Sequence, residues 1–195
     1  MGFARVSRFI LPLILLAGLL PAGRTAIAAE YKIDPAHSFV EFRANHLGYS
    51  WLYGRFNVLS GEFFHDAANP AANRITVEVD TTTVDTRHAE RDKHLRSEDF
   101  LDVAKYPKAT FKSTKYEGTA DGGKLHGELT VHGVTRPVVF EIEKMGEGPD
   151  PWGGYRAGFS GKYVMTRKDF GIDYDLGPKS TTVELTLGVE GIRKK

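Results

Sequence analysis

The 195-residue chain has no cysteine. Disulfides, thiolate nucleophiles and cysteine-ligated zinc or iron–sulfur centres are therefore excluded. It has no lysine- or arginine-rich run or stripe, so nothing points to nucleic acid or to a polybasic membrane contact. It has neither the H-E-x-x-H spacing of a zinc protease nor the G-x-S-x-G elbow of a serine hydrolase. It has no internal repeat, no low-complexity segment and only one stretch with helical character. Beyond the first 28 residues no hydrophobic run is long enough to cross a bilayer as a helix. What remains, 41% hydrophobic and 26% charged, is an ordinary globular composition with room for one sizeable core.

Residues 1–28 read as a secretory signal peptide. Arg5 and Arg8 form a basic start, Phe9 to Leu20 an apolar run, and Ala26-Ile27-Ala28 an A-x-A cleavage site. The leader carries Arg5, Arg8 and Arg24 and no acid, so the 26 basic residues fall to 23 against 25 acidic, a net charge of −2. The mature domain, 29–195, is expected in the periplasm, with no transmembrane segment.

The rest of the chain alternates. In 124–143, Leu125, Leu129 and Val131 alternate with His126, Glu128 and Thr130, and Val138, Phe140 and Ile142 follow a turn at Gly133. Successive side chains point to opposite faces of a strand, so this is a hairpin with one apolar face. Similar patterns occur over 37–45, 56–63, 75–80, 110–116, 155–165 and 182–190. Gly61 suggests a bulge or sharp bend, and 46–56 a compact connection anchored by Trp51. A short, charge-rich helix is expected from Arg87 to Leu95, capped by Asp85, followed by a turn to Leu101. Arg91 and Asp92 are expected to tie this lid to the sheet. About eight strands and one short helix imply an all-β, antiparallel barrel or sandwich. Small inward residues, among them Ala44, Gly127, Ala157 and Gly161, either leave space or mark bends.

Candidate chemistry is sparse. His126, Glu128 and His132 share a polar face that is expected to meet water and hold no metal. Asp173 and Asp175 lie in a Gly/Pro-bounded loop, where carboxylates form turns. His65 and Tyr163 are the inward polar groups that an enzyme would need.

Three segments carry a resemblance: IDPAHSFVEFRANHLGYSWLYGRF, ERDKHLRSEDFLDVAKYPKATFKS and GELTVHGVTRPV, supported by PWGGYRAGF and KDFGIDYDLGP. Together they resemble the YceI-like family over essentially the whole mature chain. The resemblance implies a lipocalin-like, extended, eight-stranded antiparallel β-barrel with a long apolar tunnel. It also implies an isoprenoid lipid ligand, either a polyisoprenoid or the tail of an isoprenoid quinone. No other cofactor is implied, and a homodimer is compatible with it. Gly48 and Trp51 do not have the spacing of the lipocalin G-x-W signature, so the kinship is one of shape.

The inward apolar residues expected to wall the tunnel are Val40, Phe42, Phe56, Phe63, Val77, Val79, Phe111, Leu129, Val131, Phe140, Ile142, Phe159, Tyr163 and Leu185. The favoured reading is a non-catalytic carrier. The alternatives are an enzyme acting on such a lipid or another small apolar substrate, and a structural module whose barrel is full.

Overall fold

The computed structural model describes residue 1, residues 28–57 and residues 59–195. The expected leader thus lies outside the described residues but for its two ends. The described chain runs β1 (Ala29–Ile33), β2 (Phe39–His46), β3 (Ser50–Phe56), β4 (Leu59–His65), β5 (Arg74–Asp80), β6 (Val84–Asp85) and α1 (Ala89–Arg96). It continues with β7 (Lys108–Gly118), β8 (Gly122–Val131), β9 (Val134–Pro149), β10 (Tyr155–Thr166) and β11 (Thr182–Arg193).

Eight strands close a ring in the order β1-β4-β5-β7-β8-β9-β10-β11, and β11 pairs back to β1. Every pairing is antiparallel. Closure removes the exposed edges that an open sheet would present. The remaining strands extend one end of the ring. β11 pairs with β2 from Val183↔Ala44 to Gly188↔Phe39, and then with β1 from Gly191↔Ile33 to Arg193↔Tyr31. β1 and β2 are therefore two halves of one bent barrel strand, as are β4 with β3 and β5 with β6. The stretch expected as a connection, 46–56, is mostly strand β3. Trp51 anchors nothing inside: it is 44% exposed, with the Arg43 guanidinium 4.3 Å from its ring centre.

The β8–β9 hairpin has the expected faces. His132 (φ 51°) and Gly133 (φ 73°) form its two-residue loop. Two positive φ angles give a type I′ turn, whose twist matches that of the flanking strands. Gly61 stays in register with Val77 and makes no bulge; a Cβ there would lie 2.1 Å from the Thr76 carbonyl oxygen. The glycine thus allows two strands to approach closely. Register shifts occur instead between Gly158 and Phe159 and between Ser113 and Lys115.

α1 begins two residues later than expected, and its cap is His88, whose Nδ1 accepts from the Arg91 amide. Asp85 instead accepts from the amide of Arg87, a residue in the left-handed region. Arg91 and Asp92 do tie the helix down, and Thr86 is the cleat. Its amide and hydroxyl both donate to Asp92 Oδ1, while its hydroxyl and carbonyl accept from the Arg91 guanidinium. Arg96 adds bonds to the carbonyls of Thr82 and Val84. The interior is packed around two clusters, one on Tyr31, Phe63, Leu59 and Ala157, the other on Phe111, Phe140, Met165 and Phe170.

Candidate functional site

The barrel interior holds two apolar cavities where one tunnel was expected. The larger, about 360 Å³, lies beneath α1 and is bordered by Phe42, Ala44, Leu52, Phe56, Leu95, Phe100, Val131, Met165, Val183 and Leu185, among others. The smaller, about 100 Å³, is bordered by Phe63, Ile75, Val77, Phe111, Leu125, Phe140, Ile142, Phe159 and Leu187.

Ten of the fourteen expected wall residues border one cavity or the other. Phe42, Phe56, Val131 and Leu185 border the larger; Phe63, Val77, Phe111, Phe140, Ile142 and Phe159 border the smaller. Val40, Val79, Leu129 and Tyr163 border neither. Their positions explain why. On β10, Tyr163 lies between Gly161 of the smaller cavity and Met165 of the larger; on β8, Leu129 lies between Leu125 and Val131. Val79 follows Val77 and precedes Val84, and Val40 pairs with Leu187, one step beyond Phe42. Val40 and Val79 belong to the core cluster around Tyr31 and Phe63, and Leu129 to the one around Phe111, against which Tyr163 packs, with Phe140 and Tyr163 5.2 Å apart between ring centres.

Small residues contribute less open space than their sequence suggests. A Cβ at Gly127 would lie 2.4 Å from Phe111 Cζ, and one at Gly54 2.3 Å from Phe42 Cζ. In both places an aromatic ring from the neighbouring strand covers the glycine, a known way of making glycine tolerable in a sheet.

Polar groups gather at the two ends. Arg91, His94, Arg167 and His46 border the larger cavity. Arg167 is buried and donates to the carbonyls of Ser180 and Tyr174 at 2.8 and 3.0 Å. Burial lowers its pKa, against the pull of Asp175 and Asp173. Sequence reasoning missed Arg167 as a site residue, since a basic residue beside a Gly/Pro loop reads as solvated, and placed Arg91 only as a tie for the helix. His65 and Arg74 border the smaller cavity, and Arg74 is paired with Glu30. Burial, reinforced by Lys144, pushes the His65 pKa down; Glu147 and Asp66 oppose it.

His126 lies on the outer face, paired with Glu117, and Glu128 is exposed. His132 is turned against Tyr106 and sits 3.3 Å from the Phe170 carbonyl. A carboxylate–histidine group that sequence did not flag, Asp34, His37 and Glu190, is drawn together by the Arg156 guanidinium, which contacts both acids. Among the described residues, no helix is long and apolar enough to cross a membrane.

The YceI-like domain family model matches residues 31–191. A UPF0312 protein of Pseudomonas aeruginosa is 53% identical over 191 residues, 97% of this chain and all of that one. Among solved structures, a Campylobacter jejuni YceI protein is 30% identical with a TM-score of 0.69, covering 77% of this chain and 90% of that one. A polyisoprenoid binding domain from Saccharophagus degradans shares the fold at 18% identity and a TM-score of 0.62, covering 86% of this chain and all of that one.

Proposed function

The chain belongs to the YceI-like family, and on that premise we propose that it is a periplasmic carrier which holds an isoprenoid lipid inside its barrel and catalyses nothing. The observation that carries this reading is the pair of apolar cavities within a closed barrel. A polyisoprenoid tail is nearly pure hydrocarbon. At about 0.8 kcal/mol per buried CH₂, each five-carbon unit contributes about 3–4 kcal/mol gross, so a few units outweigh the cost of immobilising the chain. The polyisoprenoid binding named for the Saccharophagus degradans neighbour supports the same ligand class. An apolar site with a few convergent polar groups is the expected form of a lipid pocket.

Two observations favour binding over catalysis. Tyr163 borders neither cavity, and His65 has no hydrogen-bonded partner with which to move a proton. The assignment to the periplasm follows from the leader reading.

The test is native mass spectrometry of the protein purified from the periplasm of an exporting bacterial host. A bound mass that extracts as an isoprenoid is expected. Protein that carries no lipid and takes up neither an isoprenoid quinone nor a prenol from detergent would refute the proposal.

A further inference from the structure

Among the described residues, buried polar side chains are satisfied with one exception. Thr81 donates to the Tyr106 carbonyl, Ser180 to that of Asn45, Thr86 and Asp92 bond each other, and Arg167 has its two carbonyls. The exception is His65, 2% exposed, with no hydrogen bond on either ring nitrogen. Nearly all buried polar groups in folded proteins find a partner, so one that does not calls for an explanation. His65 borders the smaller cavity, and its ring meets Phe159 edge-on at 5.1 Å, another residue of that wall.

We propose that the smaller cavity receives the polar end of the lipid, and that His65 accepts a hydrogen bond there from a neutral hydroxyl, an alcohol or a phenol. This rests on the lipid-binding reading above and narrows it to one ligand chemistry.

The geometry around the ring selects the hydroxyl. Glu147 Oε2 stands 3.5 Å from Nε2, too long for a good bond but close enough to favour the proton on that nitrogen. Lys144 holds the other oxygen of Glu147 at 3.0 Å and so fixes the carboxylate in place. Burial disfavours the charged imidazole. A neutral ring with its proton on Nε2 presents a lone pair at Nδ1. That lone pair calls for a donor. A quinone carbonyl, an ester and an ether have none. A diphosphate would bring negative charge beside Glu147. A hydroxyl on a hydrocarbon tail supplies the donor without charge, and the apolar wall takes the tail.

The experiment measures binding of farnesol, its methyl ether and the hydrocarbon farnesene to the mature protein, unmutated and as His65→Phe and His65→Gln. The ether keeps the tail and the acceptor oxygen and removes only the donor. One neutral hydrogen bond corresponds to about 3- to 10-fold in affinity, so the unmutated protein is expected to prefer farnesol over the ether by that factor. His65→Phe abolishes the preference while leaving ether and farnesene affinities within about twofold. His65→Gln, whose amide oxygen can accept, retains part of it. On the unmutated protein, ¹⁵N NMR of the imidazole is expected to show an unprotonated Nδ1 whose resonance moves with farnesol and stays with the ether. Equal binding of farnesol and ether, or a preference that survives in His65→Phe, overturns the proposal and leaves lipid binding intact. Failure of all three probes to bind overturns both.

Discussion

Replacing Gly54 with alanine tests the packing that joins the larger cavity to the helix latch. A Cβ at this position would lie 2.3 Å from Phe42 Cζ, 2.7 Å from Phe42 Cε1 and 2.8 Å from Thr86 Cγ2. Ordinary contact begins at 3.4 Å, so the Phe42 ring must retreat by about 1.1 Å. Thr86 is the poorer candidate to yield, because Asp92 and Arg91 hold its amide, hydroxyl and carbonyl. Phe42 borders the larger cavity, so its ring has space on that side.

Two effects compete. Overpacking of this kind costs about 1–3 kcal/mol, while the stiffer unfolded chain of alanine returns about 0.4–1 kcal/mol. The net loss is about 1–2 kcal/mol, and at about 2–4 °C per kcal/mol the Tm should fall by about 2–8 °C. Urea denaturation and calorimetry measure it. The control is Gly146→Ala in β9, where a Cβ meets nothing within 4 Å and only the stabilising effect operates. In the double variant Gly54→Ala with Phe42→Leu, the smaller side chain relieves the main clash, so the combined loss should be less than the sum of the single losses. Gly54→Ala unfolding together with Gly146→Ala would refute the reasoning.

Removing the Asp92 carboxylate as Asp92→Ala leaves the buried Thr86 amide without its acceptor and should cost about 1–3 kcal/mol. Amide hydrogen exchange should then rise across α1 well before it rises in β8 and β9; uniform exchange would contradict the latch. Acid should also act locally. Arg156 first, then His37, holds the Asp34 carboxyl at a pKa of about 2 against an ordinary 3.8. A depressed carboxylate contributes stability that is full above about pH 5 and drains away as the pH falls toward 2. The shift corresponds to at most about 2.4 kcal/mol, and solvent screening at this surface network reduces it to about 1 kcal/mol. Asp34→Asn should be less stable than the parent at pH 6 and should narrow the gap by pH 2, read as urea midpoints; parallel curves would refute it.

How legible all this was depended on the range of the interactions. The β8–β9 hairpin is local. Alternation of Leu125, Leu129 and Val131 and the His132-Gly133 turn are written within twenty residues, and both faces came out as expected except at His132, which was expected to meet water and instead turns in against Tyr106 and the Phe170 carbonyl. The strand count was likewise readable, because each barrel strand keeps its own period of two. Closure was not. β1 is only the pentapeptide AEYKI, and its partners β4 and the end of β11 lie far along the chain. Aromatic residues and two glycines hid β3, since such composition belongs to loops as readily as to an outer strand. The Asp85 cap failed because Arg87 enters the left-handed region and delays the helix to His88. The cavity walls were mostly legible residue by residue, since inward direction follows from alternation. Their division was not, because which inward side chains meet across the barrel is set by strand register, which spans the whole chain.

The division into two cavities bears on what the proposed ligand must do. On the proposal made above, a lipid whose hydroxyl meets His65 would start in the smaller cavity, about 100 Å³, which has room for only a short length of tail. A longer tail would have to pass the side chains between the two cavities to reach the larger one. Of the expected wall residues that border neither cavity, Val40, Val79 and Leu129 are buried in the two clusters, whereas Tyr163 is only partly buried and packs against one of them. Tyr163 is therefore the residue whose movement disturbs least. Its displacement costs the tilted ring contact with Phe140, about 0.5–1.5 kcal/mol, together with some lost apolar contact. Each isoprene unit that crosses gains about 3–4 kcal/mol gross. The balance would favour passage for a tail long enough to place a whole unit in the larger cavity, and would give nothing to a shorter one. On the proposed lipid-binding role, tail length would therefore decide whether the two cavities serve as one.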